Sequence, residues 1–144
     1  MDMKRLLKSV KQHEGYRNKV YLDSLGKRPV GVGHLCVEDF WEDDKEYEEK
    51  FLLTIIEHDL KSAIKSAERL LKGCPILDSL AREIVIEMVF QLGETGVSKF
   101  KNMLKALEEG PDYKTAAIEM LDSRWAKQTP NRAKKMSNSI KSLA

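Results

Sequence analysis

The chain is 144 residues long, 42% hydrophobic and 33% charged, with a formal net charge of only +2. That is room for one compact domain with a core large enough to fold without staples, and no apolar run approaches the roughly 20 residues that span a bilayer. Cys36 and Cys74 are too few for a secreted disulfide framework and read as small buried or half-buried side chains.

Residues 2–14 place Met3, Leu6, Leu7 and Val10 on one stripe, with Lys4, Arg5, Lys8 and Lys11 between them. This is an amphipathic helix and not a signal peptide, so the protein is expected to be made in a cytoplasm without its own export signal. His13 and Glu14 end the helix before Gly15, which suits the left-handed position that stops one. Residues 16–22 alternate Tyr16, Val20 and Leu22 with Arg17 and Lys19, a turn reads from Ser24, Gly26 and Lys27, and Val30 and Val32 resume an extended run. The pattern predicts a small antiparallel hairpin or three-stranded sheet. Pro29 cannot donate a ladder hydrogen bond, so its strand is an edge there or begins there.

Residues 36–43 read as a loop. From 44 to 72 apolar residues recur at three and four, including Leu52, Ile56, Leu60, Ala63, Ala67 and Leu71, with no Gly or Pro until Gly73 and Pro75. One helix or two in sequence fit this pattern; a helix of about 20 residues spans roughly 30 Å and can join two lobes. Residues 80–92 are apolar nearly all round, which predicts a buried central helix ended by Gly93. A further helix is expected over 99–109, stopped by Gly110 and Pro111. Asp112 then caps a helix carrying Ala116, Ala117, Met120 and Leu121, and Thr129 with Pro130 opens the last helix on Ala133, Met136, Ile140 and Leu143. The predicted class is mainly α (α+β) with one small β element.

Charge is unevenly distributed. Residues 38–49 hold eight acids (Glu38, Asp39, Glu42, Asp43, Asp44, Glu46, Glu48 and Glu49) against Lys45 alone. After Asp122 there is no acid, while Arg124, Lys127, Arg132, Lys134, Lys135 and Lys141 are basic. Such a face favours approach to an anionic polymer, and charge does not choose between cell wall and nucleic acid.

Two carboxylates stand within residues 13–34. Glu14 closes the first helix, and Asp23 stands nine residues later at the mouth of the turn. A chain folded back over that span can hold both across a cleft, which is the pair that glycoside hydrolysis uses. On spacing alone, a solvated helix end and an Asx-type turn are the better explanation.

The wider sequence goes further. The run Glu14-Gly15, Tyr21-Leu22-Asp23 and Gly31-Val32-Gly33-His34-Leu35 is followed by residues 88–96, MVFQLGETG, and 123–134, SRWAKQTPNRAK. These three ordered blocks, reaching from residue 14 to 134, resemble the tailed-phage lysozymes, glycoside hydrolase family 24. The resemblance implies a single 1–144 domain of two-lobed lysozyme-like fold, with a small lobe over about 13–58 and a helical lobe over about 1–12 and 59–144. It implies an inverting muramidase with Glu14 as general acid, Asp23 directing water, Arg132 supporting Glu14, and Gln91 and Arg124 contacting substrate. His34 and Asp59 correspond to a structural ion pair. No metal or cofactor is implied; a metal site from His13, His34, Cys36, His58 and Asp59 fits no zinc spacing. The expected partners are peptidoglycan and a separate membrane-permeabilising protein that opens the way from a host cytoplasm to the wall in the periplasm. Nucleic acid, membrane insertion and oligomerisation are not implied, and the chain is expected to be a monomer.

A carboxyl at a helix C-terminus meets the negative end of the macrodipole, which raises its pKa, whereas a neighbouring guanidinium lowers it. Three departures from the family pattern stand out. Pro29 occupies the place of a Thr whose hydroxyl helps to position the attacking water, although Ser24 offers another hydroxyl nearby in sequence. Glu87 replaces a frequent Asn and needs a partner if buried. The segment between His34 and Asp59 is short, which reduces the upper lip of the cleft. Pro29 supports a second reading, a catalytically weakened lysozyme-fold domain that binds cell wall or a partner protein.

Overall fold

The computed structural model describes residues 3–14, 29–30, 34–35, 45–108 and 110–144, and of residues 13, 14, 29, 30, 34 and 35 it describes the backbone alone. The expected strand over 16–22, the turn at Ser24, Gly26 and Lys27, Asp23, Cys36 and most of the acidic run lie outside the described residues. Contacts divide the chain into two units, Met3–Ser62 and Ala63–Ala144.

The described residues are mainly helical. In the first unit, α1 spans Met3–Glu14 and buries Leu6 and Val10, the residues that the sequence pattern put on its apolar stripe. β1, Pro29–Val30, pairs antiparallel with β2, His34–Leu35, in the register Pro29↔Leu35 and Val30↔His34. Pro29 opens its strand, where the missing N–H removes no earlier ladder bond. α2 spans Glu49–Leu70 as one helix and buries Leu52, Ile56 and Leu60 at intervals of four. Lys11 Nζ reaches Glu49 Oε1 at 3.5 Å, an exposed pair that joins the end of α1 to the start of α2.

The second unit continues α2 through Ala63 and Ala67 and then turns at residues 71–73. α3, Ser79–Ser98, is capped by the Asp78 carboxylate, which accepts from the Leu80 N–H at 2.8 Å. Its buried residues point in every direction, as the sequence predicts for a central helix: Ala81, Ile84, Val85, Met88 and Val89 are joined by Glu83 and Glu87. Each fully buried Leu or Met in such a core contributes about 1.5–3 kcal/mol. The helix breaks at Gly93, whose φ of 78° and ψ of 166° lie in a region essentially closed to residues with a Cβ. A single further stretch, Glu94–Ser98, completes α3 beyond the break.

α4 spans Lys101–Ala106, shorter than the 99–109 expected, because Lys99 still caps α3 and Phe100 makes the corner. α5, Tyr113–Leu121, begins at Asp112, which accepts from the Thr115 N–H at 3.0 Å and its hydroxyl at 2.6 Å. Those two donors hold the Asp112 carboxyl below its ordinary pKa. α6, Arg124–Gln128, is a short helix that periodicity does not predict; Ser123 caps it through the Ala126 N–H at 3.1 Å. α7 spans Pro130–Lys141 with Thr129 at its N-cap position and Pro130 in its first turn. The Thr129 hydroxyl makes no cap bond and donates instead to the Trp125 carbonyl at 2.9 Å, tying α7 back to α6. α5 packs on α7, where the buried Ser137 hydroxyl donates to the Ala117 carbonyl at 2.9 Å. Cys74 is a buried free thiol, and burial pushes its pKa up.

Candidate active site

Glu14 is the last residue of α1, so its backbone stands at the end of the helix where unpaired carbonyls concentrate negative partial charge. Its side chain, the His34 side chain and all of Asp23 lie outside the described residues. Asp59 sits half-buried on α2, and Arg132 sits half-buried in the first turn of α7, next to the fully buried Ala133.

Gln91 and Arg124 are described in full. Gln91 lies on α3 two residues before the break at Gly93, and its Oε1 accepts the Trp125 indole N–H at 2.9 Å. Trp125 is 4% exposed and meets Phe100 edge-on, with ring centroids 6.0 Å apart. The tryptophan is thus core with one polar contact, the bond a buried indole needs. Arg124 precedes it as the first residue of α6 and is exposed.

Around these side chains lies a surface cavity of about 610 Å³. Arg124, Trp125 and Gln128 form one wall, Phe100, Lys101 and Asn102 another, and Glu119 and Asp122 a third. Gln91 does not line it, although its partner Trp125 does. Lys99, Lys101 and Arg124 give the rim positive charge while Glu119 and Asp122 supply carboxylates, so the cavity suits a polar ligand bearing both charges. Asn102 Nδ2 lies 3.5 Å from Glu119 Oε2, which couples α4 to α5 across it. Sequence reading missed Lys99, Lys101, Asn102, Glu119 and Gln128. They converge only through the packing of α4, α5 and α6, and no local spacing signals that.

The segment beyond the break is held from outside. Arg69 on α2 grips Glu94 with Nη2 at 2.5 Å and Nε at 3.1 Å from Oε1, and it also donates to Ser66 Oγ. This two-pronged contact lowers the Glu94 pKa. Among the described residues, no three His, Cys, Asp or Glu side chains are grouped to hold a metal ion, and no helix is long and apolar enough to cross a membrane.

Known proteins are similar in sequence to this chain over most of its length. Two relatives from Dictyostelium discoideum, named probable T4-type lysozyme 2 and probable T4-type lysozyme 1, are 30% and 32% identical to it, and each alignment covers 88% of both chains. The pre-baseplate central spike protein Gp5 of Enterobacteria phage T4 is 30% identical over 88% of this chain and 26% of its own length. These likenesses put the chain among proteins of the lysozyme class. The sequence profile of phage lysozyme matches residues 11–140, and the chain belongs to the phage lysozyme family.

Proposed function

We propose that the protein is a muramidase that hydrolyses the β-1,4 bond between N-acetylmuramic acid and N-acetylglucosamine in peptidoglycan. The observation that carries this reading is the family match over residues 11–140, which takes in Glu14, Asp23 and Arg132 together. Glu14 protonates the glycosidic oxygen as the C–O bond breaks. Asp23 takes a proton from the water that attacks C1 from the opposite face, so the product is a reducing sugar of inverted configuration. That geometry calls for a carboxyl separation of roughly 6.5–9.5 Å. Arg132 orients the Glu14 carboxyl through charge-assisted hydrogen bonding. Gln91, Arg124 and the cavity beside Trp125 hold the strand next to the scissile bond, and the ion pair of His34 with Asp59 fixes the β element.

The protein works as a monomer without metal or cofactor. In this reading it accumulates in the cytoplasm of an infected cell and reaches the periplasmic wall once a separate protein permeabilises the membrane. Clearing of a chloroform-treated Gram-negative cell suspension by the wild type, and its loss in Glu14→Gln, tests the reading.

One observation favours a second reading. Pro29 opens β1, where the family pattern has a Thr, and it carries neither a hydroxyl nor an N–H. A weakened domain of this kind binds cell walls without clearing them.

A further inference from the structure

The outer face of α7 carries positive charge along most of its length. Successive residues of a helix turn by about 100°, which puts Lys141, Lys134, Asn138, Asn131 and Lys135 within an arc of about 120°. All five are exposed, and the buried Ala133, Met136, Ser137 and Ile140 occupy the opposite side. Every position within that arc is therefore a cation or an amide. None of the three lysines makes an ion pair with another described residue, and the sequence supplies no acid after Asp122. Helix α7 also has no acid in its first turn, where the macrodipole would reward one; Arg132 stands there instead, with Lys134 just beyond. Arg124, at the rim of the cavity, and Lys127 are further exposed cations on α6.

We propose that this face, Lys134, Lys135 and Lys141 with their flanking asparagines, docks a carboxylate-bearing strand of cell wall away from the scissile bond. The proposal rests on the muramidase reading and adds to it an anchoring surface outside the cavity. Charge complementarity selects the partner. The face holds no exposed apolar side chain to enter a lipid surface, unlike a membrane-lying helix. It holds no aromatic ring on which unpaired bases stack. The lysines are spread over about 10 Å of helix from Lys134 to Lys141, and flexible ammonium groups at that spacing match carboxylates distributed along a peptide-linked mesh. Long-range attraction to such a mesh raises the local enzyme concentration and is screened by salt.

The test compares the Glu14→Gln protein with the same protein carrying Lys134→Gln, Lys135→Gln and Lys141→Gln, by pelleting with purified sacculi from about 20 mM to about 300 mM salt. The triple variant is expected to bind about tenfold more weakly at low salt and to lose most of the salt dependence, with an unchanged circular dichroism spectrum. In the Glu14 background, the triple substitution is expected to leave cleavage of short soluble wall oligomers unchanged. Equal pelleting of the two proteins at low salt would overturn the proposal. So would tighter binding of the parent protein to a DNA duplex than to sacculi at the same salt, with the same loss in the triple variant, since that assigns the face to nucleic acid. Failure of the Glu14 protein to cleave the soluble oligomers would count against the muramidase reading alone, and the pelleting comparison would still decide the surface.

Discussion

The indole nitrogen of Trp125 donates to the side-chain oxygen of Gln91 at 2.9 Å, joining α6 to α3 just before the break at Gly93. Through this bond a residue in the core positions one that the family pattern assigns to substrate. Replacing the indole leaves a half-buried acceptor without its donor, and a lost hydrogen bond of this kind costs about 1 kcal/mol. Trp125→Phe is therefore expected to lower stability by about that amount plus a small packing loss, read by urea denaturation. If Gln91 contacts substrate, the variant also raises KM more than it lowers kcat.

Gly93→Ala is expected to cost about 1–3 kcal/mol. A Cβ built there meets nothing within 4 Å, so the loss comes from the backbone conformation and not from a clash. Thermal denaturation of Gly93→Ala beside the wild type checks it, and an unchanged Tm would mean that the break is not required.

The contact of Arg69 with Glu94 predicts a pH dependence. The folded-state pKa of Glu94 lies below its ordinary value of 4.5. The stability it contributes is thus fully present above about that pH and is lost as pH falls through the lowered folded value. Glu94→Gln should melt below the wild type at neutral pH, and the gap between the two Tm values should close as the solution is acidified below 4.5. Exposure of both partners keeps the effect small and sensitive to salt.

Pro29→Thr returns a hydroxyl to the place where the family positions water. Assistance to the attacking water is a part of general acid–base catalysis, which is worth about a hundredfold to ten-thousandfold in full. The substitution is expected to raise kcat on wall fragments by about tenfold, with KM nearly unchanged. No gain would show that another group, such as Ser24, already serves the water.

The parts of the fold that were legible in the sequence are those with a local cause. The stripe of Leu6 and Val10 marks α1, the four-residue spacing of Leu52, Ile56 and Leu60 marks α2, and Asp112 marks the start of α5; Gly93 marks a break inside α3 and not its end, which falls at Ser98. Helix α6 escaped because five residues are too few to show a period, although Ser123 carried the cap signal. Thr129 was legible as a boundary but not in its bonding, since the choice between its own helix and the Trp125 carbonyl is tertiary. The same holds for the candidate site. Gln91 and Arg124 came from the family pattern, whereas their link through Trp125, and the cavity lined by Lys101, Asn102 and Glu119, arise only when α3, α4, α5 and α6 pack.

The central claim is a Glu14-dependent cleavage of the muramic acid glycosidic bond. Its most direct test is mass spectrometry of the soluble products released from purified sacculi by the wild type and by Glu14→Gln, with both proteins shown to be folded. The account predicts fragments ending in reducing N-acetylmuramic acid from the wild type and none from the variant. Release of no fragments by the wild type, or equal release by both proteins, would contradict it.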